Sequence, residues 1–444
     1  MARGAFEGGV WTEVAGARTA IEVALRPRLM DLAGRGYVHH AAWQIRTALR
    51  RVVRLAALDP RVAAVLPLAD DEADWLARYR RLDPSYGSAR SERIFCRLDA
   101  LGRLDGPGWR EGLRFIEVNV VGIGGMSYSP PAEQALMEAV IPALAELDPD
   151  LEFDSNHDPR WLLLDELHHQ ARAVGVRGTP TVALVDDRTL YTLGGELGRL
   201  LDFFTAHGVP AVYCDPRELE VGRDGALVAA GRPVDVIYRF LELRDLVAME
   251  AGGARLDALR VAFARNCVVP SVGGDLEHKS VLELLSDPLW ADAFEPETRQ
   301  VMAEHVLWTR LLRERRTTAP DRTEIDLVPW VDRNRERLVI KPNRACGGEG
   351  VVIGRVVDAG VWRDALQVAL STPDTHVVQE AAATDVEPFP VLDADGGCEL
   401  VPMCCAVGLF PGRRGLGVFG RYAPGPVVNI QAGGGIAPFL VGVR

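Results

Sequence analysis

The sequence predicts an α/β protein with a parallel sheet near the middle of the chain. Between residues 160 and 265, stretches of helical length alternate with short apolar runs such as "TVALVD", "AVYCD" and "VDVIYRF". This alternation is typical of a parallel sheet covered by helices. Short strands also occur before and after this stretch, which extends the prediction to a mixed α/β (α+β) fold.

Composition and hydrophobic periodicity divide the chain into four regions. Residues 1–90 are rich in Ala, Leu and Arg at helical spacing, which predicts a helical N-terminal region. Residues 91–150 contain a strand pair and a helix, and residues 151–265 form the central α/β domain. Residues 266–444 begin as helices and continue as short strands broken by Gly and Pro.

The bulk properties exclude several classes of function. The chain of 444 residues carries a formal net charge of −12, which argues against a general affinity for nucleic acid or anionic membranes. There is no signal-peptide core and no run of about 18 apolar residues. The seven cysteines show no C-x-x-C spacing, which indicates reduced, packed thiols. We expect a cytoplasmic protein that binds neither nucleic acid nor membrane.

The stretch "LVIKPNRACGGEGVVIG" at residues 338–354 reads as a strand, a glycine-rich loop and a second strand. Lys341 lies near the end of the first strand, where its ammonium group can meet an anion. Glycines let backbone amides approach that anion without obstruction, so the segment 343–350 is a candidate phosphate-binding lid. A hairpin with a glycine turn and an exposed lysine is the alternative. The loop glycines are Gly347, Gly348 and Gly350.

Two strands before this loop carry paired polar side chains. "RFIEVNVVG" holds Glu117 and Asn119, and "FCRLDAL" holds Arg97 and Asp99. Because side chains alternate along a strand, each pair lies on one face. Asp99, Glu117 and Asn119 supply the oxygen ligands that Mg²⁺ requires, and they form a candidate metal site. An exposed sheet face with salt bridges is the alternative.

Several stretches in this order resemble the ATP-grasp enzymes, specifically the circularly permuted branch that includes glutathionylspermidine synthase. They are "RLDAL", "FIEVNVVGIGG", "LEHKSVLELLSDP", "VIKPNRACGGEG" and "HVVQEAAATDVEPFP". The resemblance implies a circularly permuted ATP-grasp fold. Its metal-binding part would be residues 91–150, its substrate domain residues 151–265, and its nucleotide-binding part residues 266–444.

The resemblance also implies an activity and a set of ligands. It places Lys279 and Lys341 on the nucleotide phosphates, and Gln379 and Glu380 beside adenine, so ATP and Mg²⁺ are the expected cofactors. The implied reaction joins a carboxylate to an amine. The carboxylate attacks the γ-phosphate of ATP, and the amine then displaces phosphate from the acyl phosphate, leaving ADP. Small amino acids or peptides, including glutamyl donors, are the substrates that the resemblance implies.

Two arginines are candidate catalytic residues. Arg97 sits beside the metal ligands, where it can stabilise charge on the transferring phosphoryl group. Its alternative role is an ion pair that holds Asp99 in place. Arg421, in "GRYAPG", is a second candidate for the same cluster.

Two further residues are candidates for substrate binding. Arg239, at the end of the strand "VIYRF", can meet a substrate carboxylate, or form a salt bridge with Glu242 or Asp245. Ser127, in "GIGGMSYSPP", lies in a loop that can approach the acceptor substrate or simply connect two elements.

Two other classes of function remain open at this point. One is a phosphotransferase on the same scaffold, which would phosphorylate its substrate and stop. The other is a catalytically silent nucleotide-binding module, against which the acid pair and both lysines argue. We expect small-molecule carboxylate and amine partners, and we allow for a homodimer.

Overall fold

A computed structural model gives the fold. It describes residues 9–14, 17–82, 87–88, 92–190, 195–392, 397–430 and 433–443. Helices and strands both occur in these ranges, so the expectation of a mixed α/β chain is confirmed. Within them, no helix combines the length and the apolar character needed to cross a bilayer. All seven cysteines lie in these ranges, and none of them forms a disulfide.

The part of the chain before residue 266 contains the first twelve strands and ten helices that the structure describes. The strands are β1 (Trp11–Val14), β2 (Ala17–Ala20), β3 (Arg28–Asp31), β4 (Arg97–Leu101), β5 (Arg114–Asn119), β6 (Phe153–Asp154), β7 (Val182–Val185), β8 (Ala211–Cys214), β9 (Glu220–Val221), β10 (Leu227–Ala229), β11 (Arg232–Val234) and β12 (Val236–Arg239). The helices are α1 (Leu32–Leu58), α2 (Pro60–Ala63), α3 (Asp70–Leu82), α4 (Trp109–Gly112), α5 (Ser129–Ala139), α6 (Ile141–Leu147), α7 (Pro159–Ala173), α8 (Glu196–Ala206), α9 (Leu243–Ala251) and α10 (Asp257–Ala264).

The remaining described residues form a region rich in strands. Its strands are β13 (Val268–Val269), β14 (Thr309–Leu311), β15 (Arg316–Thr318), β16 (Glu324–Asp326), β17 (Leu338–Pro342), β18 (Val352–Ile353), β19 (His376–Glu380), β20 (Asp385–Leu392), β21 (Cys398–Gly412), β22 (Gly415–Ala423), β23 (Gly435–Ile436) and β24 (Phe439–Gly442). Its helices are α11 (Val281–Ser286), α12 (Pro296–His305), α13 (Leu327–Arg333) and α14 (Ala359–Ser371).

A six-stranded antiparallel sheet joins strands from distant parts of the chain. Its order is β23-β22-β21-β4-β5, and β20 pairs with β21 beside this path. The junction is the pairing of β21 with β4, in which Gly408 lies opposite Asp99. The predicted regions 91–150 and 266–444 therefore share one sheet.

A second antiparallel sheet has the order β14-β19-β17-β18. One face of this sheet packs on α13 and α14 through a hydrophobic cluster that contains Trp308, Ile340 and Trp362. Lys341 lies near the end of β17, opposite Val377 of β19. Because side chains alternate along β17, Ile340 enters the cluster while its neighbour Lys341 lies on the opposite face.

The parallel sheet has the order β13-β12-β7-β8, and each of its three strand pairs is parallel. Both of its faces are covered. Val182 and Leu184 of β7 pack in one hydrophobic cluster with helices α7 and α8, whereas Ala183 and Val185 pack in another with α9 and α10. This explains why β7 is apolar throughout, since parallel sheets are usually buried on both sides.

The helical prediction for residues 1–90 is incomplete, because β1, β2 and β3 precede α1. Strand β3 pairs in parallel with β24 at the other end of the chain, so its strand conformation depends on a distant partner. The helices begin at Leu32, where the side chain of Asp31 accepts a hydrogen bond from the amide of Gly34 and caps α1. Helix α1 then packs across the six-stranded sheet.

Candidate active site

A cavity of about 390 Å³ lies between the two antiparallel sheets. Residues of β4, β5, β17, β19 and β22 line it, together with the loop 345–351 and the segment 426–430. Eleven of the residues predicted from the sequence meet there: Arg97, Asp99, Glu117, Asn119, Lys279, Lys341, Gly347, Gly348, Gln379, Glu380 and Arg421. Gly350, Ser127 and Arg239 are not among its lining residues.

The paired polar residues of β4 and β5 meet across the two strands. Asp99 lies opposite Glu117, and Arg97 lies opposite Asn119. Residues opposite each other in an antiparallel pair share a face, so all four side chains point to the cavity. The register shifts directly after Asp99, which leaves Ile116 as the extra residue of a β-bulge. The carbonyl of Ile116 is thereby left to accept hydrogen bonds from outside the ladder.

Asp99 is held between two guanidinium groups. Its carboxylate accepts hydrogen bonds from Nε and Nη2 of Arg97 at 2.7 and 3.0 Å, and Nη2 of Arg421 lies 2.8 Å away. Burial alone would raise the pKa of Asp99, but the charges of Arg421 and Arg97 outweigh it and lower the pKa to about 2. Asp99 is therefore ionised at any physiological pH. The ion pair that we gave as the alternative role of Arg97 is thus formed.

Gly408 makes room for this charge cluster. A Cβ atom at this position would lie 2.8 Å from Cδ of Arg97 and 3.2 Å from Oδ1 of Asp99. The sequence analysis did not select Gly408. A signal existed, because an isolated glycine inside a strand pattern often marks a close approach of another group to the backbone.

Lys279 connects β5 to the glycine-rich loop. Its Nζ lies 3.1 Å from Oε1 of Glu117 and also donates to the carbonyl of Ala345. The backbone amide of Lys279 donates to the carbonyl of Asn343 at 2.8 Å. The Asn343 side chain accepts from the amide of Ser280 at 2.9 Å. The base of the predicted lid is therefore anchored to the segment that carries Lys279.

Lys341 is buried at the floor of the cavity. Its Nζ donates to Oε1 of Gln379 at 2.7 Å and to the carbonyl of the bulged Ile116 at 3.4 Å. Burial lowers the pKa of Lys341 to about 8, although the carboxylate of Glu117 opposes this effect. The Lys341 ammonium group has no carboxylate in hydrogen-bond contact among the described residues, so its charge is available to an anion.

The glycine-rich loop is exposed from residue 346 to residue 350. Gly347, Gly348 and Gly350 all have positive φ angles, of 70°, 79° and 68°, which residues with a side chain rarely adopt. A Cβ at Gly348 would also lie 2.4 Å from Cγ1 of Val427. The side-chain Nδ2 of Asn429 donates to the carbonyl of Gly347 at 2.6 Å, so the loop touches the segment 426–430 across the cavity mouth.

Gln379 and Glu380 differ in their surroundings. Gln379 is buried, and its amide nitrogen donates to Oγ1 of Thr309 at 2.9 Å while its oxygen accepts from Lys341. Glu380 is half-buried at the cavity edge and lies 3.5 Å from the guanidinium of Arg337. Both residues belong to β19, on the same side of the cavity as Lys341.

The oxygen donors suit a hard divalent cation. Among the described residues, no cluster of three His, Cys, Asp or Glu side chains could hold a metal. The predicted oxygen donors are instead the carboxylates of Asp99 and Glu117 and the side-chain amide of Asn119. The Nδ2 atom of Asn119 is directed at the carbonyl of Arg97, 3.5 Å away, which leaves its Oδ1 for a cation. Such an oxygen set fits Mg²⁺, which prefers oxygen ligands.

The comparisons with known proteins show the fold. No protein-family model matches the chain, and no curated protein matches its sequence. The structure is similar to that of a glutathione synthetase-like effector from Globodera pallida, solved in its apo form, with a TM-score of 0.56 and 11% identity over 99% of this chain and 90% of that chain. The chain has the fold of that effector.

Two other solved structures are similar to a lesser degree. A candidate gamma-glutamylcysteine synthetase from Methylobacillus flagellatus has a TM-score of 0.38 and 12% identity, over 87% of this chain and 84% of that chain. D-alanyl-alanine synthetase A from Vibrio cholerae has a TM-score of 0.26 and 10% identity, over 54% of this chain and 87% of that chain.

The structure does not bring Arg239 to the cavity. Its side chain is fully buried and pairs with Asp275 at 3.0 Å, rather than with Glu242 or Asp245 as the alternative interpretation had it. It also donates to the carbonyls of Leu241 and Ser271. The strand end is covered by these segments, so Arg239 holds the fold together there and does not reach a ligand.

Ser127 is also buried and is not among the residues that line the cavity. Its backbone amide donates to Oε1 of Glu196 at 2.7 Å, and the other carboxylate oxygen accepts from the amide of Gly125. A second buried acid, Glu277, accepts from the amides of Val120 and Val121. These two glutamates fix the loop after β5, and nothing in the sequence pattern indicated them.

Proposed function

We propose that the protein is an ATP-dependent carboxylate–amine ligase with a circularly permuted ATP-grasp fold. The observation that carries the proposal is the meeting, in one cavity, of an Asp–Glu–Asn oxygen set, two lysines and an exposed glycine-rich loop. The likeness in fold to a glutathione synthetase-like effector supports it. The pairing of β4 with β21 supports the permutation, because the metal strands precede the nucleotide strands in the chain and still join their sheet.

The positions of the two lysines support a definite placement of ATP. Gln379 and Glu380 on β19 would lie beside adenine, and Lys341 would meet the phosphates. Lys279 would exchange Glu117 for a phosphate oxygen when the nucleotide binds. Asp99, Glu117 and Asn119 would hold Mg²⁺, and the cation would supply positive charge that offsets the charge of the phosphates. The glycine-rich loop would close over the phosphates and exclude water.

The reaction then follows in two steps. A substrate carboxylate oxygen attacks the γ-phosphorus of ATP, and the bond to the β-phosphate oxygen breaks to release ADP. An amine attacks the carbon of the acyl phosphate, and inorganic phosphate leaves as the amide forms. Arg97 and Arg421, both fixed on Asp99, would stabilise the charge that develops on the transferring group. The substrates would be small amino acids or peptides in the cytoplasm.

The proposal is tested by incubating the protein with MgATP and a panel of acid–amine pairs. ADP release is measured, and products are detected by mass. A ligase releases phosphate only when acid and amine are both present, whereas a phosphotransferase forms a stable phosphorylated product without the amine. Absence of nucleotide turnover with every pair, with ATP bound nonetheless, would identify a silent binding module instead.

A further inference from the structure

Four of the residues that line the cavity are apolar or aromatic and belong to one hydrophobic cluster. They are Ile21, Tyr128, Phe419 and Ile430, which we call the apolar wall. Ile21 and Phe419 are buried, and Tyr128 and Ile430 are half-buried. The apolar wall offers one hydroxyl group, that of Tyr128.

The apolar wall lies beside Arg97 and Arg421. We call these two arginines, which share the carboxylate of Asp99, the arginine cluster. The guanidinium carbon of Arg421 lies 5.5 Å from the ring centroid of Phe419. The backbone of Gly125 is close to the same ring, because a Cβ there would lie 2.5 Å from Cδ1 of Phe419. Its neighbour Gly124 accepts a hydrogen bond from Nη1 of Arg97 at 2.7 Å. A molecule held by the two arginines would thus have the wall directly beside it.

The arginine cluster carries an excess of positive charge. Arg97 and Arg421 share the single carboxylate of Asp99, and Glu117 is paired with Lys279. The carboxyl group of Glu277 is engaged by the backbone amides of Val120 and Val121 and makes no ion pair with either arginine among the described residues. In addition, Nε of Arg421 has no hydrogen-bond acceptor among the described residues. A ligand carboxylate is the group that would balance this charge.

The predicted nucleotide contacts and the apolar wall come mainly from different elements. Lys341, Gln379 and the exposed glycine-rich loop belong to β17, β19 and the connection after β17. The apolar wall comes instead from β22, from the loop before α5, from the residue after β2 and from the end of the segment 426–430, which the glycine-rich loop also contacts. When the phosphates of ATP lie on the two lysines, the apolar wall is left for the group attached to the substrate carboxylate.

We infer that the acid activated by this enzyme carries an apolar side chain, aliphatic or aromatic, that packs on the apolar wall. This inference rests on the proposed ligase function and specifies its substrate class. A polar side chain in the same place would lose its water without gaining enough partners, which would weaken its binding in the transition state. Glutamate and asparagine are therefore expected to be poor substrates.

The acid preference can be measured before the natural amine is known. Hydroxylamine replaces the amine: its nitrogen attacks the acyl phosphate carbon, phosphate leaves and a hydroxamate forms. Leucine, phenylalanine, 4-methylpentanoate and 3-phenylpropanoate are compared with asparagine, glutamate, succinate and glutarate. We expect kcat/KM for the best apolar acid to exceed that of its polar counterpart by at least about 10-fold.

Two variants of the apolar wall and one control localise the effect. Phe419→Ser and Ile21→Asn should each lower the leucine to asparagine ratio of kcat/KM by about 10-fold, and Ile21→Asn serves if Phe419→Ser does not fold. Val339→Ala removes an apolar group from the nucleotide side of the same cavity. It should alter KM for ATP and leave the ratio unchanged.

The outcomes separate the two proposals. ADP and hydroxamate formed from glutamate or asparagine in preference to the apolar acids would overturn the inference and leave the ligase intact. An unchanged ratio in both wall variants would also overturn it. If no acid yields ADP with hydroxylamine while the protein binds MgATP, the ligase proposal fails, and the inference fails with it.

Discussion

Asp99 lies opposite Glu117 across β4 and β5, yet each carboxylate pairs with a base that comes from another part of the chain. Asp99 meets Arg421 of β22, and Glu117 meets Lys279 of the segment before α11. The two acids and their bases therefore join four separate elements around one cavity. Binding a cation and a nucleotide there would replace these ion pairs with new ones. No buried charge would then be left without a partner.

Removing the oxygen donors of β5 tests the metal assignment. Glu117→Gln and Asn119→Ala should each lower kcat by about 100-fold or more, since each removes an oxygen ligand of the cation that would stabilise the transferring phosphoryl group. Both side chains are only half-buried, so the midpoint of thermal unfolding should change little. Glu111→Gln, on the exposed surface of α4, is the matched control. A wild-type rate in either β5 variant would rule out its residue as a metal ligand.

Arg97 should matter more for chemistry than for ATP affinity. Arg97→Ala should lower kcat by about 100-fold, as the loss of one preformed transition-state donor does, and ATP should still bind. Since Arg97 also holds Asp99, Arg97→Lys separates the roles: it retains a positive charge but cannot form the bidentate contact. A variant weakened only in its nucleotide dissociation constant would contradict the catalytic role.

The lid should become ordered when nucleotide binds. Residues 346–350 are exposed, and three glycines give them little to pack against. Hydrogen exchange in residues 343–350 should therefore slow on addition of MgATP, most strongly after residue 345, because Asn343 and Ala345 are already anchored. Arg223 and Asp224, which are exposed at the turn 222–225, are a control that should not respond. Equal exchange in the lid with and without MgATP would argue against closure.

Nucleotide affinity should depend on pH through Lys341. Its pKa of about 8 in the free protein means that the ammonium form, which attracts phosphate, predominates below pH 8 and is lost above it. Affinity for MgATP, measured by calorimetry without acid or amine, should fall as the pH rises from 7 to 9. Asp99, with a pKa of about 2, stays ionised throughout. Lys341→Met should bind more weakly at pH 7 and lose this dependence; the same pH profile in the variant would assign it to another group.

The sequence predicted those features of the site that depend on local periodicity. The shared faces of Arg97 with Asp99 and of Glu117 with Asn119 follow from the two-residue repeat of a strand. The register that sets Asp99 opposite Glu117 depends on a bulge at Ile116, and the space for Arg97 depends on Gly408 of a strand far away in the chain. Such long-range contacts leave little trace in a local pattern.

The predictions that differ from the structure also failed because of partners that are distant in the sequence. Arg239 stands at the end of a strand, as expected for a ligand-binding arginine, but Asp275 and neighbouring carbonyls bury it. Strand β3 was missed because its partner is β24, near the other end of the chain. In both cases the tertiary partner, rather than local propensity, decides the outcome.

The central claim is that the terminal phosphate of ATP is the one activated. Lys341, the glycine-rich loop and the Asp99–Glu117–Asn119 set all converge on one place, and adenylate formation would instead require stabilisation centred on the α-phosphate. Separation of the nucleotide products by ion-exchange chromatography, after turnover with an accepted acid and amine, tests this most directly. The account predicts about one equivalent of ADP and about one equivalent of inorganic phosphate for each amide formed. AMP and pyrophosphate among the products would contradict it.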